Sequence, residues 1–332
     1  MNSSKPLEMA QVALSSPTGG MLPVRVSRLE AIAADVVAIS LGKTDGTDFP
    51  EWSAGAHIDV LIDGALERQY SLCGRLEDRT QLRIAVLRDP ASRGGSQALH
   101  EKLHLGDTLF IRAPRNNFPL VDADETIFIA GGIGITPIHA MIAELEREGK
   151  PWKLLYGGRS RATMAFRDEL AEYGEDRVQI QPEDEAGLLD IAAWIGEPRP
   201  ACAIYCCGPE RLIAAVENAC VGWPEDALHV ERFRPADGAL EGKDEAFEVV
   251  LARKGISIEV APGQAIADAL EAVGVHIPRS CNEGTCGTCI TKVLEGTPDH
   301  RDSFLRGRMR SENKKIMVCC SRALSARLIL DI

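Results

Sequence analysis

The chain contains 332 residues, enough for about two or three domains of ordinary size. Hydrophobic residues make up 45% and charged residues 26%, as in a globular protein, and no stretch approaches the roughly 20 apolar residues that span a bilayer. The 37 Lys and Arg against 49 Asp and Glu give a net charge of −12, which argues against nucleic acid as a partner because phosphate binding requires a basic surface.

The N-terminal segment and the cysteine content bear on location. Residues 1–20 are polar and rich in Ser and Gly, with no apolar core after Lys5, which predicts a flexible terminus rather than a signal peptide. We therefore expect a cytoplasmic protein, without contact with a membrane and without disulfides. In a cytoplasmic chain with ten cysteines, some of the thiols more often serve as metal ligands than form disulfides.

Residues 21–120 predict an antiparallel β-barrel. Short alternating runs such as residues 35–41, 57–62 and 81–86 are separated by Gly and Asp turns. The run from Arg68 to Leu72 ends one strand with an Arg and two hydroxyls, and residues 92–96 offer an Arg, two glycines and two serines as a phosphate site. Taken alone, Arg68 and its neighbours are more often ordinary surface or half-buried residues.

Residues 121–234 predict a parallel, doubly wound α/β domain, because strands alternate with helices. The sheet is predicted to end near Phe233. The predicted strands are residues 126–130, 153–156, 178–180 and 203–207, and the predicted helices are residues 138–148, 163–173 and 209–219.

Two turns of this domain follow strands directly. Residues 130–137 form a Gly-rich turn before a helix, where a pyrophosphate can approach backbone N–H groups; the alternative is a tight turn with no ligand. Residues 205–209 repeat the pattern, with Pro209 at the first helical position. Cys206 is expected to be buried in the strand, and Cys207 lies at its carboxyl end, where open α/β sheets bind ligands.

Residues 235–245 predict a linker, and residues 246–332 a small α+β domain rich in cysteine. Cys281, Cys286 and Cys289 form C-x4-C-x2-C with Cys319 further on, the spacing of plant-type [2Fe–2S] ferredoxins. A zinc site is the alternative, but zinc usually takes paired C-x2-C knuckles. Neighbours in a strand point to opposite faces, so only one of Cys319 and Cys320 can be the fourth ligand, and we favour Cys319.

In this order, the motifs at residues 68–72, 93–96, 131–137, 207–209 and the four cysteines resemble the phthalate dioxygenase reductase family, which includes the vanillate O-demethylase reductases. The resemblance implies an FMN-binding barrel, an NAD(H)-binding ferredoxin-reductase-like domain and a C-terminal β-grasp ferredoxin with a [2Fe–2S] cluster. It also implies a transient complex with a Rieske-type mono- or dioxygenase, for example in aromatic degradation. The oxygenase, on another polypeptide, would set the terminal substrate.

The resemblance also implies which residues hold each cofactor. The FMN residues would be Arg68, Gln69, Tyr70, Ser71, Ala85, Val86, Leu87, Arg93, Gly94, Gly95, Ser96, Thr136 and Phe233. The NAD residues would be Gly131, Gly132, Gly134, Gly158, Arg159, Ser160, Cys207, Gly208 and Pro209. NADH is the expected donor, and NADPH stays open because Arg159 and Arg161 could accommodate a 2′-phosphate.

This reading needs no catalytic acid or base from the protein. A nicotinamide delivers two electrons together, a cluster accepts one, and a flavin can mediate between them.

Six basic residues in the segment 301–315 lead to the hypothesis that it docks an acidic face of the oxygenase, although a solvated surface is the alternative. Two other functions are possible: a reductase for a different monooxygenase or soluble carrier, or a redox-sensing module.

Overall fold

The computed structural model describes residues 20–64, 66–90 and 94–332. Most of the predicted flexible terminus, residues 1–19, and the predicted FMN residue Arg93 therefore lie outside the described residues. Within the described ranges, no helix is both long enough and apolar enough to cross a bilayer.

The first sheet is entirely antiparallel, in the order β4-β3-β6-β1-β2-β5, with β7 paired to β3. A bridge between Leu72 and Ile84 joins the two ends of this order, so the sheet closes into a barrel. Its strands are β1 Leu22–Ala33, β2 Val36–Lys43, β3 Ala56–Ile62, β4 Leu66–Ser71, β5 Gln81–Leu87, β6 Thr108–Ile111 and β7 Arg115–Asn116, with helix α1 Gly95–Glu101 after β5.

The second sheet is parallel, in the order β10-β9-β8-β11-β12. Successive strand residues alternate between two buried cores: Phe128 and Tyr205 belong to one, and Ile127 and Ile204 to the other. Its elements are β8 Glu125–Gly131, α2 Ile135–Glu148, β9 Trp152–Gly158, α3 Arg167–Ala171, β10 Val178–Pro182, α4 Glu183–Ala186, α5 Ile191–Ile195, β11 Cys202–Cys207, α6 Glu210–Ala219 and β12 Leu228–Glu231.

One of the two cores extends into the barrel. Val36, Cys73, Ala85 and Phe118 from the first domain are buried in the same cluster as Phe128 and the apolar side of α2. The barrel and the parallel sheet therefore share a continuous hydrophobic interior.

Two details of the α/β domain differ from the sequence prediction. The helix predicted at residues 163–173 is wrong: a 3-10 turn at Arg161–Thr163 is followed only at Arg167 by α3. Phe166 interrupts the helix because its φ is +57° and its side chain is buried in the shared core. The edge strand β12 was missed, since its four residues are too few for the alternation of apolar and polar types to stand out.

The C-terminal domain contains a mixed sheet in the order β14-β13-β19-β15-β17, in which β13 and β19 are parallel. Helix α7 packs on one face of it, as in a β-grasp fold, over a core of its own. The elements are β13 Phe247–Leu251, β14 Ile256–Val260, α7 Ile266–Ala272, β15 Ile290–Glu295, β16 Pro298–Asp299, α8 Gly307–Ser311, β17 Lys315–Met317, β18 Arg322–Ala323 and β19 Arg327–Leu330.

The connecting segment before this domain is anchored at its C-terminal end. The buried guanidinium of Arg301 donates to the Asp244 carboxylate at 2.7 Å and to the Lys243 carbonyl at 2.6 Å. A Cβ at Gly242 would lie 2.7 Å from Arg301 Nη2, so the backbone packs directly on the guanidinium. The last residues of the linker therefore belong to the C-terminal domain.

We predict that Gly55→Ala destabilises the junction between the first two domains. Gly55 has a φ of +90°, and an added Cβ would lie 1.9 Å from the Phe118 carbonyl oxygen and 2.9 Å from Met141 Cε. Backbone strain and overpacking together should lower the free energy of unfolding by about 3 kcal/mol, measured by chemical denaturation.

The matched control is Gly64→Ala. Gly64 has a φ of +75° but nothing within 4 Å of an added Cβ, so only backbone strain of about 1 kcal/mol is expected. Equal losses in the two variants would contradict the close-contact argument.

Candidate functional site

A cleft of about 1970 Å³ lies where the three domains meet. The end of β4, the carboxyl ends of the parallel strands and the loop containing Cys281 all open into it. The predicted residues that line it are Arg68, Gln69, Tyr70, Ser71, Ala85, Leu87, Ser96, Gly131, Gly132, Gly134, Thr136, Gly158, Arg159, Gly208, Pro209, Phe233, Cys281 and Cys286.

The barrel side of the cleft places an Arg beside the beginning of α1. A Cβ at Gly95 would lie 2.8 Å from Arg68 Cγ, so the side chain of Arg68 crosses directly over the helix start. Gly94, with a φ of +94°, turns the chain into α1, and Ser96 Oγ accepts a hydrogen bond from the Asp89 N–H at 3.1 Å. A guanidinium and a Gly-rich helix start in one place fit a phosphate group.

Tyr70 and Val86 occupy different environments on this side. Burial raises the pKa of Tyr70, which keeps its phenol neutral at the edge of the cleft. Val86 does not line the cleft: its side chain is buried, and its carbonyl oxygen lies 2.8 Å from His100 Nε2. A contact between Val86 and a ligand in the cleft is therefore not supported by its position.

Opposite the barrel, the floor of the cleft contains Thr136 and a carboxyl group that the sequence analysis missed. Glu231, the last residue of β12, accepts a long hydrogen bond from Ser71 Oγ at 3.4 Å. Burial raises the pKa of Glu231 to about 8, so the group is largely protonated at neutral pH. An acidic residue two positions before Phe233 was the available signal, but it required the strand β12 to be recognised.

The two Gly-rich turns pack against each other. A Cβ at Gly134 would lie 2.2 Å from the Cys207 carbonyl oxygen, and one at Gly208 would lie 3.0 Å from Gly131 Cα. Gly132 has open space but a φ of +54°. Only glycine allows this approach, and it leaves backbone without side chains where the carboxyl ends of β8 and β11 open into the cleft, as close binding of a pyrophosphate requires.

Cys207 contributes backbone only. Its side chain is fully buried in the shared core and does not line the cleft, and burial raises the pKa of its thiol well above the usual value. The expectation that this thiol faces a ligand is therefore not met by the structure.

Beyond the two Gly-rich turns, arginine and glutamate side chains form ion pairs with each other. Arg161 Nε donates to Glu185 Oε2 at 2.8 Å, and Arg211 Nη2 donates to Glu183 Oε2 at 2.5 Å. Arg159 lines the cleft, whereas Ser160 caps the following 3-10 turn. The carboxylates of Glu183 and Glu185, on α4, were not singled out by the sequence analysis.

The four predicted ligand cysteines lie at two depths in the C-terminal domain. Cys281 and Cys286 line the cleft, whereas Cys289 and Cys319 are buried in the core of this domain. In the described part of the chain, no group of three or more His, Cys, Asp or Glu side chains has the geometry of a metal site. Four thiols, three of them in one C-x4-C-x2-C segment, are the donor set of a [2Fe–2S] cluster, in which each iron takes two thiolates.

The thiol of Cys320 also lies close to the loop that contains the first three cysteines. A Cβ at Gly284 would come within 2.5 Å of its Sγ. Gly284 and Gly287 both have positive φ, which lets the loop from Cys281 to Cys289 turn tightly. The loop is thus shaped to enclose a compact group, and the donor set fits a [2Fe–2S] cluster.

The basic segment at residues 301–315 is partly used inside the molecule. Arg301 is buried, Arg306 lines the cleft, and Arg310 donates to the carbonyl oxygens of His300 and Asp302. Four cationic side chains of the segment are exposed, Arg308, Arg310, Lys314 and Lys315, and both Arg308 and Lys314 pair with Glu312.

We predict that Cys319→Ser abolishes cluster incorporation, whereas Cys320→Ser retains it. The reason is that Cys319 is buried with Cys289 in the core of the C-terminal domain, whereas Cys320 is only partly buried against it, and neighbours in the chain cannot both face one cluster. Iron content and the electron paramagnetic resonance signal of the reduced protein measure the outcome. Loss of iron in Cys320→Ser alone would reverse the assignment.

Comparison with known proteins adds to this geometry. Residues 128–218 match the family described as an oxidoreductase NAD-binding domain, and residues 249–324 match the 2Fe-2S iron-sulfur cluster binding domain. The chain is 42% identical over 323 residues to phenoxybenzoate dioxygenase subunit beta of Ectopseudomonas oleovorans, covering 96% of this chain and 100% of the relative.

Two further proteins are similar over almost the whole chain. Phthalate dioxygenase reductase of Burkholderia cepacia is 36% identical, over 94% of this chain and 98% of the relative. A solved structure of a phthalate dioxygenase reductase, at 36% identity, gives a TM-score of 0.70 over 94% of this chain and 98% of that one. A type IV self-sufficient cytochrome P450 monooxygenase gives 0.84 at 44% identity over 94% of this chain, which spans 41% of that protein.

These matches confirm the predicted resemblance, the three-part fold and the NAD-binding and ferredoxin domains. The chain belongs to the phthalate dioxygenase reductase family and is an oxidoreductase, the electron-transferring reductase component of an oxygenase system.

Proposed function

We propose that this chain takes electrons from NADH, passes them through FMN and a [2Fe–2S] cluster, and delivers them to a Rieske-type oxygenase in a transient complex. The observation that carries the proposal is the single cleft, into which the flavin-type barrel residues, the Gly-rich turns and the loop of Cys281 all open. We also propose a cytoplasmic location, because the six cysteines outside the predicted cluster ligands form no disulfide, as is usual in a reducing compartment.

Each group of residues has a positioning role in this proposal. Arg68 would neutralise the FMN phosphate beside α1, while Ser71 and Thr136 would face the ring. The backbone around Gly131 and Gly208 would hold the NADH pyrophosphate, and Phe233 would cover the ring where the nicotinamide enters. Bound FMN would supply the conversion of a two-electron donation into single-electron transfers.

The nature of the acceptor is the finer part of the proposal. The relatives named as dioxygenase components support an oxygenase with its own iron, and Rieske oxygenases are such enzymes. The similarity to a fused cytochrome P450 supports a second candidate, a haem monooxygenase as acceptor. Reduction of a purified Rieske oxygenase but not of a P450 by this chain would decide between them.

We predict that anaerobic NADH bleaches both the flavin and the iron–sulfur absorbance of the purified holoenzyme. Cys286→Ser should retain NADH-dependent reduction of ferricyanide, which takes electrons from the flavin, and lose reduction of cytochrome c by at least tenfold. A wild-type protein with no turnover of either acceptor would favour the redox-sensing alternative.

We further propose NADH rather than NADPH as the donor. Two of the three cations beyond the Gly-rich turns form direct ion pairs, Arg161 with Glu185 and Arg211 with Glu183. The third, Arg159, lines the cleft. The backbone links these groups as well, because the Asp184 N–H donates to the Arg159 carbonyl at 3.2 Å. A 2′-phosphate would find no net positive charge there.

We predict a higher kcat/KM for NADH than for NADPH, and that the double variant Glu183→Gln, Glu185→Gln raises kcat/KM for NADPH by about tenfold. The reason is release of Arg161 and Arg211 from their carboxylates. Glu172→Gln, an exposed carboxyl group at the end of α3, is the control. An unchanged ratio in the double variant would contradict this explanation.

A further inference from the structure

A buried carboxylate of the barrel contacts the cluster loop of the C-terminal domain. Asp59, on β3, is fully buried and accepts hydrogen bonds from Gln69 Nε2 at 3.0 Å and from Arg115 Nη2 at 2.5 Å. Its Oδ1 also accepts a hydrogen bond from Ser280 Oγ at 2.7 Å. Ser280 directly precedes the predicted ligand Cys281.

A second hydrogen bond reaches the other end of the same segment. Asn117, one residue after β7, donates from Nδ2 to the carbonyl oxygen of Cys286 at 2.5 Å. The barrel therefore holds the C-x4-C segment at both ends, immediately before Cys281 and at Cys286.

The rest of the C-terminal domain is attached elsewhere. The Arg308 N–H donates to Glu225 Oε1 at 2.9 Å, and Arg306 Nη1 lies 3.8 Å from Glu217 Oε1; both acceptors belong to the α/β domain. These contacts hold the domain beside the cleft, but they do not touch the loop. The hydrogen bonds of Ser280 and Asn117 join the loop itself to the barrel.

We propose that Asp59 and Asn117 are positioning residues that fix the cluster-binding loop against the flavin-binding barrel, so that electrons pass from flavin to cluster in one preset arrangement. This inference rests on the proposed function. The Asp59 carboxylate suits the role because Gln69, on the flavin side, and Ser280, on the cluster side, share it. A buried carboxylate with a fixed guanidinium and two further donors has little freedom to move.

The charge of Asp59 also argues against a role in stability alone. A buried ion pair is often no more stabilising than apolar residues of the same size. The position of the Asp59 carboxylate between Arg115 and a hydroxyl of the C-terminal domain therefore indicates that the carboxylate orients the two domains. Because Asp59→Asn would leave Arg115 without its partner inside the barrel, the variants that test the proposal remove the donors instead.

The test compares the holoenzyme with Ser280→Ala, Asn117→Ala and the double variant. Losing two hydrogen bonds should slow cytochrome c reduction, and the flavin-to-cluster step in stopped flow, by about tenfold in the double variant. Ferricyanide reduction should stay at the wild-type rate. Amide hydrogen exchange of residues 281–289 should accelerate by about tenfold, and Ser280→Thr, which keeps the hydroxyl, should restore wild-type behaviour.

Two controls remove equivalent groups without crossing between domains. Ser27→Ala breaks a hydrogen bond to the Ser40 carbonyl oxygen within the barrel, and Ser325→Ala breaks hydrogen bonds to Thr297 and Arg327 within the C-terminal domain. Neither should alter the ratio of cytochrome c to ferricyanide reduction.

Three results would overturn the inference: unchanged exchange and unchanged electron transfer in the double variant, loss of iron from it, or an equal effect of the controls. If the wild-type protein reduced neither acceptor, the proposed function would fail, while hydrogen exchange would still report whether Ser280 and Asn117 hold the loop.

Discussion

The shared hydrophobic core of the barrel and the parallel sheet determines the geometry of the whole molecule. Phe118 and Cys73 from the barrel are buried with Phe128 and Met141 from the α/β domain, so these two domains cannot move apart without exposing apolar surface. The end of β4 and the carboxyl ends of the parallel strands consequently face each other across a fixed gap. That gap is the cleft, and its width is set by packing rather than by the ligands it would hold.

The C-terminal domain is attached in a different way. Its core is separate, and the contacts described between it and the rest of the chain are hydrogen bonds and ion pairs, such as those of Ser280 with Asp59 and of Arg308 with Glu225. Polar contacts are directional, so they specify the orientation of the C-terminal domain. Breaking them does not carry the cost in exposed apolar surface that separating the first two domains would carry. The first two domains therefore pack as one unit, and polar contacts orient the C-terminal domain against it.

The three-part fold and the cluster site could be predicted from the sequence, because hydrophobic periodicity and the spacing of cysteines are properties of short segments. The prediction of a helix at residues 163–173 failed because the side chain of Phe166 is buried in a core shared with distant residues. Glu231 and Asp59 were missed for a related reason: their partners Ser71 and Ser280 lie 160 and 221 positions away. The glycines of the two turns were recognised, but their contact with each other could be seen only in the folded chain.

The cysteines of the first two domains are buried, which affects how readily their thiols are oxidised. Burial raises the pKa of Cys73 to about 12 and also raises the pKa of Cys206 and Cys207, so these sulfurs stay protonated. Peroxide attacks the thiolate form of cysteine. The interior thiols are thereby spared from oxidation, and sensitivity to peroxide should be concentrated at the cluster site, where the predicted ligand Cys281 lines the cleft.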